Sequence, residues 1–498
     1  MNLASVIDRH PEGSVALVSH GRTTTYGELR DQVARLRSGL AGLGLQPGDR
    51  VALVAANNRT FVVAYLASLS LGAVAVPLNP LSPQPELQRE LEVVGARVLV
   101  AGPVAARTVG TLDRAALGDL EHVLAPPGVD LPGVRSFHDL DGSGDVPVCD
   151  RTPDDLAALI FTSGTAGPPR AAMLTHGNLL ANIDQMQTVQ GNQTPDDVVL
   201  GVLPMFHIYG LNVVLGMSLA FGSRVVLVER FDPHSALETI GQQDVTVIAG
   251  VPTMWSAWAS LPGPLPGDFG SVRLATSGAA PLDPVVRRTV RDRFDLNVTE
   301  GYGLTEASPA VTTGLGVDAP DGSIGVPLPG VELRLIDSAS GDDALVGDPG
   351  ELWVRGPNVF PGYWNDPEGT AAALTSEGWL RTGDVAVVDD QGYLYLVDRA
   401  KDLIIVSGFN VFPAEVEEVL VAHPGVAEAA VVGVPHPHSG EAVTAYVVPT
   451  DTGGELDEED VIAFCAQRLA RYKCPAKLVI VDELPHDPAG KILRRVLR

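Results

Sequence analysis

Cysteine is scarce in this chain of 498 residues, which contains only Cys149, Cys465 and Cys474. The number is odd, and Cys465 and Cys474 are nine positions apart, a spacing that fits no common metal site. The composition therefore excludes a disulfide framework and a zinc-type cysteine cluster. Three reduced thiols are typical of a cytoplasmic protein, and we predict that location.

Positive charge is also in short supply. The chain has 34 Lys and Arg residues against 61 Asp and Glu residues, which gives a formal net charge of −27. Nucleic acids and anionic membranes are bound by basic surfaces, so this balance excludes a general surface of that kind. A small anionic ligand is not excluded, because a local basic site can oppose the overall field.

Long apolar runs are rare as well. The longest covers residues 61–78, where Gly72 and Pro77 interrupt it and favour a buried helix Phe61–Leu71 followed by a strand Ala73–Pro77. The first twenty residues carry several charges and lack the apolar core of a secretory signal. We predict no integral membrane segment, while peripheral membrane contact and the choice between monomer and homodimer stay open.

Short β-branched runs alternate with helical patterns up to about residue 330, which predicts βα units and mostly parallel sheets. Apolar residues make up 45% and charged residues 19%, as in globular proteins, and 498 residues predict at least two domains. The predicted helices include Tyr26–Leu43 and Pro284–Phe294. The predicted buried strands are Val51–Ala55, Ala96–Val100, Leu156–Phe161, Val198–Val202, Arg224–Leu227, Val245–Ile248 and Val272–Ala275.

The pattern changes after Gly330, where short strands separated by Gly, Asp and Pro turns predict a small β-rich subdomain over about residues 330–398. A charged connector, Asp398–Asp402, follows. Beyond it, helix Pro413–Ala422, two strands and helix Glu458–Leu469 predict a small α+β unit. The residues alone leave open whether this unit is a separate domain or folds back as part of one domain.

A loop rich in Thr, Ser and Gly, Thr162–Arg170, follows the predicted strand that ends at Phe161. Small residues let backbone N–H groups approach an anion closely, hydroxyls add donors, and Arg170 can pair with phosphate oxygens in bidentate fashion. It is not a Walker loop, because no Gly-Lys-Ser/Thr follows Gly164 at the required spacing. The loop predicts an anion site, although short turns of this composition are common.

Three more segments carry candidate chemistry. Thr276–Leu282 follows a predicted buried strand, and Glu300–Glu306 combines an aromatic ring, a hydroxyl and a carboxylate. An aromatic plane suits a purine, and a carboxylate suits a hard cation. Arg381–Asp384 is interpreted as the end of a loop before a strand, and Lys491 follows a Gly-containing turn ahead of a basic tail.

Taken together and in this order, these segments resemble the signatures of the adenylate-forming superfamily, which includes acyl-CoA synthetases, adenylation domains and firefly-type luciferases. The resemblance covers nearly the whole chain and is strongest to fatty acyl-CoA ligases. The phosphate loop departs from the family string in having Ala166 for Thr, Arg170 for Lys and Ala171 for Gly. Arginine keeps the positive charge of the lysine that it replaces. We therefore expect a slower reaction at the phosphates rather than loss of function.

The resemblance implies an α/β fold with a hinged second domain. A large N-terminal domain, residues 1–398, would contain mixed α/β sheets and the small β-rich subdomain at about 330–398. A hinge at 399–401 would join it to a mobile α+β C-terminal domain, residues 402–498. This family likeness favours two domains over one.

The resemblance also implies a role for each matching residue in a site for ATP and Mg²⁺. Tyr302 would stack on adenine, while Asp384 and Arg399 would bind the ribose. Glu306 and Thr165 would hold Mg²⁺. The complete implied ATP site is Thr162, Ser163, Gly164, Thr165, Gly167, Arg170, Gly278, Ala279, Ala280, Glu300, Gly301, Tyr302, Gly303, Thr305, Asp384, Arg399 and Lys491.

Further residues would bind the acid and coenzyme A. Lys401 would be the hinge between the two domains. Gly301 would leave room that a bulkier side chain would fill. The implied acid pocket comprises His207, Ile208, Gly210, Gly301 and Gly303. The implied coenzyme A residues are Ser407, Gly408, Phe409 and Lys473. The implied catalytic residues are Lys491, His207, Thr165 and Glu306.

The implied reaction has two steps. A carboxylate attacks the α-phosphate of MgATP, with Lys491 stabilising the developing charge, and pyrophosphate leaves. The small domain then turns about Lys401, and the thiol of coenzyme A displaces AMP. All eight Lys and Arg residues of 402–498 lie from Arg468 onward beside three acids, a local net charge of 8 − 3 = +5 that suits such polyanions.

The implied substrate is a medium- or long-chain fatty acid. Three alternatives stay open: an aryl acid such as a cinnamate or benzoate, an acyl-AMP ligase that loads a carrier protein, and a luciferase-like oxygenase.

Overall fold

The computed structural model describes residues 1–129, 131–140, 142, 144–162, 170–262, 269–337, 340–399, 404–407, 409–411, 413–450, 456–485 and 497. Several predicted site residues lie outside this set, and their roles stay predictions. They are Ser163, Gly164, Thr165, Gly167, Lys401, Gly408 and Lys491. Arg399 is described as part of a strand, without its side-chain surroundings.

A nine-stranded sheet carries most of the site. Six of its strands run parallel in the middle, and antiparallel strands flank them at both edges. The inner strands are buried on both faces, which is why their sequences are nearly continuous apolar runs. In spatial order the strands are Val326–Pro327, Ala310–Thr313, Val298–Gly303, Leu274–Ser277, Val247–Gly250, Val198–Gly201, Arg224–Leu227, Val15–Ser19 and Arg22–Thr25.

A seven-stranded sheet forms the second layer of the large domain. It is parallel except for its last pair, in which Leu156–Thr162 and Arg170–Thr175 run antiparallel on either side of the predicted phosphate loop. In spatial order the strands are Arg135–Ser136, His122–Ala125, Val98–Ala101, Arg50–Val54, Val74–Pro77, Leu156–Thr162 and Arg170–Thr175.

Helices cover these sheets, and their ends follow local capping chemistry. Helix Tyr26–Gly42 begins at a capping box in which Thr25 and Glu28 each bond the other's backbone N–H. The other α-helices of the described residues are Arg59–Leu71, Gln84–Val94, Ala106–Gly110, His176–Gln187, Met217–Phe221, Pro233–Gln243, Pro252–Ala259, Pro284–Phe294, Pro367–Ala373, Pro413–Val421 and Glu458–Ala466. A π-helix covers Tyr209–Gly216, and 3₁₀ turns cover Leu3–Ile7, Pro103–Ala105, Phe137–Asp139, Phe269–Ser271 and Thr305–Ala307.

The β-rich part of the large domain is a four-stranded antiparallel sheet. Its strands are Glu332–Ile336, Gly350–Arg355, Leu380–Val388 and Leu394–Arg399. Arg381–Asp384 therefore lies inside a strand, and the interpretation as a loop end was wrong, because pairing with Gly350–Arg355 extends that far. Asp398 and Arg399 likewise end a strand rather than belong to the connector.

The small C-terminal domain has a core of its own, in which Val431, Val443 and Leu478 pack together. Its sheet joins Phe409–Val411, Ile404–Val406, Gly440–Pro449 and Val426–His436, and Lys477–Ile480 pairs in parallel with Gly440–Pro449. The predicted fold class, a large mixed α/β domain followed by a small α+β domain, is confirmed. The division at residues 399–401 stays a prediction.

The apolar run at residues 61–78 forms helix Arg59–Leu71 and strand Val74–Pro77, both almost wholly buried. The predicted helix–strand unit is thus confirmed, with the helix beginning two residues earlier. Within the described ranges, every helix falls short of the length and apolar character that a bilayer crossing requires.

Candidate functional site

A cavity of about 970 Å³ opens beyond the carboxyl ends of strands Leu274–Ser277 and Val298–Gly303. Ligands of open α/β sheets bind at this edge, because the strands end together there and the following loops face each other. Strand Leu380–Val388 of the four-stranded sheet and Phe409 of the small domain close the cavity from other sides. The site is thus assembled from three sheets that are far apart in sequence.

Tyr302 and Asp384, predicted to bind adenine and ribose, meet in this cavity. The Tyr302 hydroxyl donates a hydrogen bond to Asp384 Oδ2 at 2.6 Å. Asp384 is also the register partner of Arg399 in the four-stranded sheet. Strand pairing therefore brings together the two residues predicted to bind the ribose, 15 positions apart in the chain (399 − 384).

Glu300 braces the loop that follows strand Leu274–Ser277. Its Oε1 accepts a hydrogen bond from Leu282 N at 2.8 Å, and its Oε2 pairs with Arg287. Both charged residues are buried, Arg287 6% and Glu300 6% exposed. Ala279 takes a left-handed backbone conformation in the same loop, with φ of 69°. Glu300 thus fixes the shape of the wall formed by Gly278, Ala279 and Ala280, all of which line the cavity.

A chain of polar contacts links Arg170 to Glu306. Arg170 Nε pairs with Asp366 Oδ2 at 2.7 Å, and its guanidinium lies 5.5 Å from the centre of the Tyr363 ring. The Tyr363 hydroxyl donates to Glu306 Oε1 at 2.7 Å. Burial raises the pKa of Glu306, only partly opposed by this hydrogen bond. A cation placed beside a desolvated carboxylate strongly stabilises the charged form of that carboxylate.

Thr162 and Thr305 complete the described polar lining on this side. Thr162 Oγ1, at the end of strand Leu156–Thr162, is buried and has no hydrogen-bond partner among the described residues. A buried hydroxyl at the start of the predicted phosphate loop is a donor that a ligand oxygen can use. Within the described residues, no three His, Cys, Asp or Glu side chains cluster as a metal cage.

A second part of the cavity lies between the helical segment Tyr209–Phe221 and the central sheet. Tyr209, Val213 and Met217 follow one another at four-residue spacing and all line it. The facing strands contribute alternate residues, Val247 with Ala249 and Leu274 with Thr276. The result is a mainly apolar pocket beside the part of the cavity that contains Tyr302 and Asp384.

His207 and Ile208, both predicted to belong to the acid pocket, line the cavity. Burial lowers the pKa of His207 to about 4, so its ring is neutral at physiological pH. The ring lies edge-on to Phe409 of the small domain, 6.3 Å between centres. This histidine therefore stands where the two domains and the pocket meet.

The glycines of the predicted acid pocket have a different role from the one expected. A Cβ at Gly301 would lie 2.8 Å from Thr312 O on the neighbouring strand, and one at Gly303 would collide with Pro309 O. A larger residue at either position would push the backbone of its neighbour instead of filling the pocket. Gly210 is not part of the lining, since it packs against the carbonyl of Pro204.

The small domain meets the large one through an aromatic stack. Phe409 lies 4.4 Å from Tyr472 of its own domain and 6.2 Å from Phe206 of the large domain, measured between ring centres. Ser407, two residues earlier, has a left-handed backbone with φ of 54°. Phe409, one of the residues predicted to serve coenzyme A, therefore lines the cavity, and its predicted role stays a prediction.

Lys473, predicted to bind coenzyme A, lines the cavity but is already engaged. Its Nζ donates to Glu86 Oε1 at 2.8 Å and to Glu415 Oε1 at 2.9 Å. An ammonium has three donors, so two of them are occupied by carboxylates. Binding a phosphate of coenzyme A would require Lys473 to leave these partners.

Three residues whose side chains hold predicted site residues in place were missed in the sequence analysis. Arg287, Tyr363 and Asp366 hold Glu300, Glu306 and Arg170, respectively. Asp366 carried one usable signal, because an Asp before Pro367 is typical of a helix N-cap, which it is. For Arg287 and Tyr363 no local pattern marked the contact.

Comparisons with known proteins agree with this arrangement. The family model described as AMP-binding enzyme matches residues 3–364, and the model of its C-terminal domain matches residues 415–491. A feruloyl-CoA synthase of an Amycolatopsis species is 41% identical, covering 97% of this chain and 95% of that protein. A long-chain-fatty-acid–CoA ligase of Escherichia coli O157:H7 is 36% identical, covering 97% and 91%.

A solved structure agrees as well. The o-succinylbenzoate CoA synthetase of Bacillus subtilis, bound to a product analogue, superposes with a TM-score of 0.87 at 30% identity, covering 100% of this chain and 98% of that one. The three relatives are named for reactions with coenzyme A, which supports an acid–CoA ligase over a luciferase-like oxygenase or a carrier-loading ligase. This chain belongs to the AMP-binding enzyme family and is an ATP-dependent, AMP-forming acid–CoA ligase.

Proposed function

We propose that the acid is an aryl acid of the hydroxycinnamate type. The observation that carries this proposal is the polar lining contributed by Asn192 and Gln193 to a mainly apolar pocket. Gln193 Oε1 accepts a hydrogen bond from Ser218 Oγ at 3.1 Å, which orients its amide. A phenolic hydroxyl finds hydrogen-bonding partners at such a wall, whereas the methyl end of a fatty acid does not.

The order of the lining residues supports the same choice. Asn192 and Gln193 precede strand Val198–Gly201 and His207 follows it, and all three line the cavity. A strand of four residues measures about 13 Å. A phenylpropenoic acid with its carboxylate near His207 would extend along this strand and direct its phenolic hydroxyl toward Gln193.

The aromatic ring of Tyr209, which lines the pocket, gives a third argument. Its ring packs on Gly278 so closely that a Cβ there would lie 3.1 Å from Cε1. Aromatic rings prefer offset or edge contacts with other rings, so this wall favours a planar substrate. The 41% identity to a protein named feruloyl-CoA synthase points in the same direction.

A medium- or long-chain fatty acid is the second candidate. Val213, Met217 and Leu274 supply apolar surface for an alkyl chain, and a relative named long-chain-fatty-acid–CoA ligase is 36% identical. The prediction of a fatty acid therefore stays a prediction.

For the first step, Tyr302 and Asp384 would bind the nucleoside and Thr162, Arg170 and Thr305 the phosphates. Mg²⁺ fits Glu306, whose buried carboxylate with a raised pKa can share a hard cation with phosphate oxygens. When bound, the metal would neutralise phosphate charge.

The remaining roles concern the acid and its transfer. Neutral His207 would hydrogen-bond near the acid's carboxylate without competing as a cation with Lys491, which would stabilise the transition state. Phe409 and its neighbours would then border the path of the thiol.

The test compares pyrophosphate release with ferulate, 4-coumarate, cinnamate, octanoate and palmitate. We expect the highest kcat/KM with the two phenolic acids. Gln193→Leu should lower the preference for 4-coumarate over cinnamate about tenfold, the value of one lost hydrogen bond to a buried partner. Octanoate provides the matched control, since it needs no polar partner and its kcat/KM should not change. A wild-type preference for palmitate would overturn the aryl assignment.

A further inference from the structure

Lys473 connects the two domains through hydrogen bonds within a buried cluster of carboxyl groups. Its partner Glu86 lies on helix Gln84–Val94 of the large domain, and its partner Glu415 lies on helix Pro413–Val421 of its own domain. All three residues are 4% exposed. We call Glu86, Glu90, Glu415 and Lys473 the interdomain cluster.

The cluster holds more negative than positive groups. Burial and the charge of Glu86 raise the pKa of Glu90 to about 8, so Glu90 carries a proton near neutrality. One carboxylate oxygen each of Glu86, Glu90 and Glu415 is buried without a hydrogen-bond partner among the described residues. Lys473 is therefore the cation that faces these carboxyl groups, and it donates hydrogen bonds to both Glu86 and Glu415.

The cluster adjoins the aromatic stack that brings the small domain onto the pocket. Tyr472, the neighbour of Lys473, contacts Phe409, and Phe409 in turn lies against Phe206 and His207. A rotation of the small domain would carry Glu415 and Lys473 away together and leave Glu86 behind. The Lys473–Glu86 bond is thus specific to the orientation in which Phe409 faces His207.

We propose that Glu86 and Lys473 are positioning residues for thioester formation, acting as a latch that holds the small domain against the large one. A buried ion pair suits this task. Its desolvation cost nearly offsets its attraction, so the pair specifies one orientation without trapping the enzyme in it. The inference rests on the proposed acid–CoA ligase reaction and on the predicted turn of the small domain between its two steps, and it replaces the prediction that Lys473 binds coenzyme A.

The experiment separates the two half-reactions in the full-length enzyme. Adenylation is followed by pyrophosphate exchange, and thioester formation by a single turnover of pre-formed acyl-adenylate with coenzyme A. Glu86→Gln should lower the thioester rate constant about 10- to 100-fold, the loss expected for a charged hydrogen bond, and leave exchange unchanged. The KM for coenzyme A should change less than this rate constant.

Glu90→Gln is the matched control. Glu90 lies one turn further along the same helix, in the same cluster, but Lys473 makes its two hydrogen bonds to Glu86 and Glu415 instead. Since Glu90 is already neutral near pH 7, the substitution should leave both half-reactions unaltered. Lys473→Met should reproduce Glu86→Gln, and the double variant should be no slower than Lys473→Met, because both changes remove the same bond.

Three results would overturn the latch. One is an unchanged thioester rate in Glu86→Gln, and another is an equal loss in both half-reactions. The third is a raised KM for coenzyme A in Lys473→Met without any effect of Glu86→Gln, which would restore the coenzyme A assignment. If Lys473→Met does not fold, the thioester rate constants of Glu86→Gln and Glu90→Gln still test the latch. Failure of the aryl-acid proposal can be distinguished from failure of the latch. In that case the wild-type enzyme itself would prefer another acid in both half-reactions.

Discussion

Removing one hydroxyl should weaken ATP binding without touching the acid. In Tyr302→Phe the ring stays available for adenine, but the hydrogen bond of 2.6 Å to Asp384 Oδ2 is lost. That bond fixes the carboxylate proposed to bind the ribose. The substitution therefore tests whether Asp384 must be pre-oriented by its neighbour.

The size of the effect follows from the contact. A hydrogen bond to a charged group contributes about 1.5–3 kcal/mol. Asp384 is only partly buried, so the lower end applies, and ~1.4 kcal/mol corresponds to a tenfold change. We expect the KM for ATP to rise about tenfold, with kcat at saturating ATP and the KM for the acid nearly unchanged.

Pyrophosphate exchange at varied ATP and acid gives both constants. Tyr209→Phe is the control, because that hydroxyl lies 3.4 Å from Thr276 Oγ1 in the acid pocket and its loss should affect the acid alone. An ATP KM within twofold of wild type in Tyr302→Phe would refute the reasoning. So would an equal rise in the KM of ATP and acid.

Two further predictions concern stability and the first step. Arg287→Ala leaves buried Glu300 without its cation, a loss of about 3–5 kcal/mol that should lower the melting temperature on the order of 10 °C. Arg291→Ala on the same helix, with an exposed side chain, should change it little, and equal losses would contradict this reading. Lys491→Ala should slow adenylation on the order of 10²–10³-fold yet spare thioester formation from supplied acyl-adenylate. Equal loss in both steps would remove Lys491 from its proposed role.

The fold could be predicted where burial alone decides the local structure. Strand Arg224–Leu227 and helix Pro284–Phe294 have the predicted bounds. Buried parallel strands read as continuous apolar runs, which is a local signal. Strand Val245–Ile248 was predicted two residues too early, because small and polar residues continue the pairing at its carboxyl end, where Gly250 is the partner of Ser277.

The site was predictable as separate segments but not as a network. Motif strings marked Tyr302, Glu306 and Asp384, which all line the cavity, because their residue types suit the roles predicted for them. The contact between Glu86 and Lys473 spans 387 positions, and no periodicity connects two such residues. Contacts of this kind depend on how domains pack, which a local pattern does not encode. The misinterpretation of Gly301 has the same origin, because the obstacle is the backbone of another strand.

That close strand packing at Gly301 and Gly303 has a consequence for enzyme engineering. Libraries that replace these glycines to reshape substrate scope would mostly yield misfolded clones, since any side chain meets the main chain of strand Ala310–Thr313 or the carbonyl of Pro309. The residues on the opposite wall of the pocket can be substituted more easily. Val213 and Met217 face the same pocket from a helix, so directed evolution toward bulkier or longer acids should randomise these two positions first.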